Sequence, residues 1–141
     1  MLVAVAASVV LFVAWPGHEA PAQTGSVTVP PPSAGIRQVA TAYIRSLNVH
    51  DAATARALVV RGSHQASATG AYLSDLSQVR DFHLGRVSHQ PYSSEWDVAL
   101  TWNLAWVDPN EVDKDGPQPW GFSLRRDSRS GRWLIYDEGT G

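Results

Sequence analysis

Apolar residues alternate with polar or small ones along residues 95–107, EWDVALTWNLAWV: Trp96, Val98, Leu100, Trp102, Leu104 and Trp106 fall on one side, Asp97, Ala99, Thr101, Asn103 and Ala105 on the other. A β-strand sends successive side chains to opposite faces, so this pattern predicts a long strand with one oily face in need of a cover. The cover is predicted upstream. Ile36, Val39, Ala40, Tyr43, Ile44 and Leu47 recur at helical spacing opposite Arg37, Gln38, Thr41 and Arg45, which makes residues 36–48 an amphipathic helix. After the break Asn48-Val49-His50, Asp51 stands where an N-cap would open a second helix, AATARALVV. A polar loop through Thr69 then leads to a third short helix over residues 71–78, burying Tyr72, Leu73, Leu76 and Val79.

Four strands follow. Residues 82–89 form the first, with a bulge expected at Gly85. The Trp-rich strand is second. Trp120, Phe122 and Leu124 alternate with Gly121, Ser123 and Arg125 in the third, and residues 127–131 read as a tight hairpin into the fourth. That last strand, residues 132–137, sets Trp133, Ile135 and Asp137 on one face and Leu134 and Tyr136 on the other. Helices followed by a strand meander give an α+β class: N-terminal helices on one face of a curved antiparallel four-stranded sheet.

Upstream of this domain, residues 2–15 are apolar apart from Ser8. At 1.5 Å per residue they span about 21 Å, against a hydrocarbon core of about 30 Å. Residues 1–15 are expected to be a signal-anchor or transmembrane segment, with either a longer span or cleavage near Ala22 as the outcome. No Lys or Arg precedes Arg37, so a positive flank is missing. Residues 16–35 hold five of the nine prolines and read as an extended spacer. Residues 36–141 are the domain. A single-pass membrane protein with its domain outside the cytoplasm, or a secreted product, follows from this layout.

Composition narrows the chemistry. The 141 residues carry a net charge of −2 with basic residues scattered, which argues against nucleic acid as a partner. There is no cysteine, hence no disulfide and no thiolate site. His50, His64 and His89 lie in breaks or loops without ligand spacing, and Asp108, Glu111, Asp113 and Asp115 lack calcium-loop spacing, so no metal and no cofactor is expected. Ser63-His64 and Ser88-His89 have no nucleophile elbow around them.

The opening VATAYIRSLNVHDAATARAL and the close WGFSLRRDSRSGRWLIYDEGTG resemble the nuclear transport factor 2-like (SnoaL-like) superfamily, in particular its small exported actinobacterial members. The resemblance implies a cone-shaped fold with a pocket between sheet and first helix. It implies either of two activities. In one, the domain is a non-enzymatic binding or assembly module of the cell envelope, for example a subunit of a conjugation or secretion channel, with a homodimer or an envelope complex as partner. In the other it is an isomerase, cyclase or hydro-lyase, with Asp137 as base and Tyr43 as hydrogen-bond donor. Trp102, Trp106, Trp120, Trp133 and His83 would line the pocket, and indoles there would suit a small apolar ligand. A cone packed solid by the indoles favours the first; an open pocket faced by both Asp137 and Tyr43 favours the second.

Overall fold

The computed structural model describes residues 24–108 and 117–140. Residues 1–15, the cleavage position near Ala22, the first part of the spacer and most of the acidic loop after Asp108 lie outside them. Three helices, α1 (Ile36–Asn48), α2 (Ala52–Ala57) and α3 (His64–Asp75), precede four strands, β1 (Leu76–His89), β2 (Trp96–Trp106), β3 (Pro117–Arg126) and β4 (Trp133–Gly139). The strands form one antiparallel sheet in the order β1-β2-β3-β4, with the helices packed against it. The expected α+β class holds at this level. Among the described residues no helix is long and apolar enough to cross a membrane.

Each element follows from local chemistry. The apolar stripe of α1 is buried, with Val39, Tyr43, Ile44 and Leu47 fully covered. Asp51 does cap α2, accepting from the Thr54 N–H at 3.1 Å. That helix ends at Ala57, short of expectation. The next residues turn to the sheet edge instead, where Ile135 N donates to Leu58 O at 3.0 Å and Val60 N donates to Ile135 O at 2.8 Å. This cross-link shields part of the outer edge of β4.

The third helix differs most from the sequence reading. It spans His64–Asp75 with Ser63 as its cap, so the expected polar loop is helical and the expected helical residues Leu76 and Val79 belong to β1. Its buried side is Gln65, Thr69 and Tyr72, spaced four and three apart. The period is helical but two of those three side chains are polar, and hydrophobic periodicity is blind to such a face. In β1, register shifts fall where Gly85 and Arg86 are accommodated between Leu84 and Val87. A Cβ on Gly85 would sit 3.3 Å from the Ala99 carbonyl, tighter than ordinary packing allows.

Residues 24–34 lie on the domain, where a free spacer would make no contacts. Gly25 N donates to Val49 O (3.0 Å), Val27 N to Asp51 Oδ2 (2.8 Å) and Thr54 Oγ1 to Val27 O (2.8 Å). Val27 and Val29 pack against the core, Ala34 is buried, and Arg132 donates to Pro30 O. This strap runs from the C-terminal end of α1 back to its N-terminal end. Asp51 is its clasp, and the Val27 N–H, with the bonds from Thr54, holds that carboxyl below its ordinary range. A depressed folded-state pKa stabilises the fold above the unfolded pKa, and that stability is lost as pH falls through the folded value. Thermal unfolding is therefore expected at lower temperature at pH 3 than at pH 7, with the difference reduced in Asp51→Asn, which keeps a capping oxygen without the charge.

Candidate functional site

The covered side of the sheet is filled by the indole strand and its partners. Trp102 is 2% exposed; its ring stacks on Trp120 (5.9 Å between centroids) and meets Tyr72 and Phe122 edge-on at 5.6 Å each. Trp106 stacks on Tyr72 at 5.9 Å. Tyr43 is fully buried with its ring edge-on to Phe122 at 5.4 Å. Trp133 lies at the far end of β4 with the Arg126 guanidinium 4.8 Å from its ring centre. The four indoles expected to line one pocket are thus split: Trp102, Trp106 and Trp120 share an aromatic cluster with Tyr72, and Trp133 is away from it.

Beneath that cluster runs a buried polar network. Gln65 Nε2 donates to Tyr43 Oη (2.8 Å) and to Glu138 Oε2 (3.1 Å). Thr69 Oγ1 donates to the Gln65 carbonyl (2.7 Å) and lies 2.9 Å from Tyr43 Oη, so the Tyr43 hydroxyl is left to donate to Thr69. Tyr72 Oη (2.9 Å) and Trp120 Nε1 (3.3 Å) also donate to Glu138. The carboxylate is therefore held by three neutral donors. Gln65 Oε1, fully buried, has no hydrogen-bond partner among the described residues. Burial drives the Tyr43 phenol well above its ordinary pKa, a shift that the bonds from Thr69 and Gln65 oppose and the Glu138 charge reinforces. It stays protonated at any physiological pH, as a structural donor.

Asp137 is not at the end of the apolar row. Ser123 pairs with Asp137 but Leu124 pairs with Ile135, so Tyr136 is an extra residue and the alternation slips by one. Glu138 opposes Phe122 on the covered side. Asp137 opposes Ser123, half-exposed, with His64 Nδ1 3.1 Å from its Oδ1. The proposed base and the proposed donor Tyr43 are in different environments, one half-exposed and one sealed in the core. No apolar periodicity marks Glu138, Gln65 or Thr69 as members of the core. The Gln65, Thr69, Tyr72 spacing was the available signal.

A groove of about 740 Å³ lies along the other side of the sheet, floored by the small residues Ala99, Thr101 and Gly121. Asp97 and Asp137 reach it, as does the exposed His83, whose Nε2 is 3.1 Å from Asp81 Oδ2. Ser123 Oγ donates to Asp97 Oδ1 at 2.6 Å and Gln90 Nε2 to the same oxygen at 2.8 Å. Among the described residues no group of three or more acidic, His or Cys side chains is arranged to hold a metal.

No family model matches the chain, and no curated protein matches it. Among solved structures it is similar to RPA3114, a SEC-C motif containing protein from Rhodopseudomonas palustris whose structure was determined in solution. The TM-score is 0.57 at 8% identity, covering 79% of this chain and 82% of that one. This likeness is one of fold alone, and it corrects the expected resemblance: the described chain is matched to a SEC-C motif protein, with nothing supporting membership of the nuclear transport factor 2-like superfamily.

Proposed function

We propose that the chain is a non-enzymatic binding or assembly module of the cell envelope, held at the membrane by its apolar N-terminal segment with the domain outside the cytoplasm. The observation that carries the non-enzymatic part is the packed interface between helices and sheet. Tyr43, Trp102, Phe122 and Leu124 fill the space between the helices and the sheet, and the polar atoms there are bonded mostly to one another. A subunit of a conjugation or secretion channel is one form of this reading, since an apolar segment, a proline-rich stretch and a domain follow in that order.

Two measurements test it. A C-terminal fusion to a reporter that folds only after export is expected to be active and to sediment with membranes, or to appear in the medium if the segment is cleaved. An inactive fusion in the soluble cell fraction sinks the envelope assignment. Asp137→Asn, at a half-exposed position, is expected to leave both the fold and the module's binding unchanged within about 0.5 kcal/mol; a selective loss of turnover or of ligand binding would restore an active-site role.

A further inference from the structure

The side of the sheet turned away from the helices is bare at its centre. The register aligns Ala99 with Gly121 and Gly121 with Gly139, so β2, β3 and β4 present a row with nothing larger than a methyl group. With neighbouring strands about 4.8 Å apart, that row is about 10 Å long. A glycine inside a strand weakens it, and it marks a bulge, a crowded backbone or a place that something else approaches closely. At Gly121 the first two do not apply. Its φ is not positive, β2 and β3 pair without a shift on either side of it, and an added Cβ would meet the Gly139 and Val98 carbonyl oxygens only at 3.6 Å, an ordinary contact. A Cβ on Gly139 would meet nothing within 4 Å. Neither position needs glycine to build the sheet, unlike Gly85, and what the two glycines leave open is the groove of about 740 Å³, a size that suits a small molecule.

Two charges of opposite sign line this groove from adjacent strands without pairing with each other. Asp97, on β2, is partly buried, and the bonds from Ser123 Oγ and Gln90 Nε2 to its Oδ1 fix the carboxylate. Its Oδ2 has no hydrogen bond among the described residues. Arg86, on β1, is exposed and makes no hydrogen bond or ion pair among the described residues. The pairs Ser88 with Asp97 and Val87 with Val98 set the two strands beside each other there. The other charged groups of the groove are engaged elsewhere. Asp137, at the β4 rim, spends Oδ1 on His64 Nδ1 and the Glu138 N–H; His83 lies against Asp81; and the Glu138 carboxylate takes its donors on the covered side.

We propose that the groove binds a free α-amino acid with a large apolar side chain. Asp97 Oδ2 takes the ammonium group, Arg86 takes the carboxylate in a two-pronged bond, and the side chain lies over Ala99, Gly121 and Gly139. A zwitterion carries a donor and an acceptor on one carbon, which matches an acid and a base on neighbouring strands. A plain cation or a plain anion would leave one of the two protein charges unanswered. The floor is flat because it is almost all backbone, and a flat or branched apolar group covers it with the least exposed surface. The proposal goes beyond the binding role given above, naming a ligand for the outer groove, and it does not depend on where in the cell the domain resides.

The test is isothermal titration calorimetry of L-phenylalanine into the full chain in detergent. Saturable binding is expected, with phenethylamine and phenylpropanoate, which each lack one of the two charges, about ten-fold weaker. Arg86→Gln should weaken phenylalanine about ten-fold and abolish its advantage over phenethylamine while keeping its advantage over phenylpropanoate. Asp97→Asn should do the opposite, a pattern that a merely structural role would not produce. Gly121→Val, which raises the floor, should weaken binding with the fold retained by circular dichroism, and Asp137→Asn should leave it unchanged. No saturable heat at millimolar phenylalanine, equal binding of the three probes, or variants at Arg86 and Asp97 that bind like the parent overturn the proposal. The two readings fail separately: phenylalanine binding by a chain whose export reporter is inactive keeps the groove and discards the envelope, and an exported chain that ignores phenylalanine does the reverse.

Discussion

Trp102→Ala is expected to be among the most damaging single substitutions in the domain, costing about 3–5 kcal/mol, as loss of a buried large aromatic does. The ring touches Trp120, Tyr72 and Phe122 at once, so its removal leaves a cavity whose walls belong to α3, β2 and β3. Those walls are anchored by backbone ladders and cannot collapse inward to refill it. With a slope of about 4 °C per kcal/mol for a domain of this size, the unfolding midpoint should fall by about 15 °C in a thermal melt followed by circular dichroism. Trp133→Ala, at a half-buried position against Arg126, should cost far less. Equal losses at the two positions would mean that the indoles do not divide into a core set and a peripheral one.

The second large effect is expected at Glu138. In Glu138→Ala, Tyr72 Oη, Trp120 Nε1 and one contact of Gln65 Nε2 lose their acceptor together. An abandoned donor costs about 1–3 kcal/mol, reduced where water can reach it, so a loss of about 2–3 kcal/mol is expected in urea titration. Glu138→Gln should cost less than Glu138→Ala, because its one amide oxygen still accepts from Gln65 and Trp120 while its NH2 takes the place of the oxygen that accepted from Tyr72. Asp137→Ala should be close to silent. The reverse order, with Asp137 costly and Glu138 indifferent, would show that the register shift in β4 is misplaced.

That contrast shows where reading the sequence succeeds and where it fails. Strict alternation from Trp133 assigns Asp137 to the covered side; one extra residue, Tyr136, hands the position to Glu138. A bulge leaves no mark in the alternation of an amphipathic strand whose two faces are both partly apolar. The third helix fails for a related reason: its buried face is built of Gln65 and Thr69, which bury well only because Tyr43 and Glu138 come from elements distant in sequence to bond them. Residues 24–34 look like spacer since prolines and small residues dominate them. Their attachment depends on Val49, Asp51 and Thr54, which present the right backbone and side-chain atoms only once α1 and α2 are packed.

What the order of residues determined by itself was the amphipathic first helix, the Asp51 cap, the indole strand with its covered face, the hairpin at residues 127–131 and the α+β class. Each of these is a matter of neighbours within a few positions, where period and turn chemistry are decided locally. Tertiary structure alone decided which carboxylate enters the polar network and that Tyr43 is sealed away from solvent. These depend on register and on pairs tens of residues apart, and the physics that selects them is the satisfaction of buried donors and the burial of rings, which no local window contains.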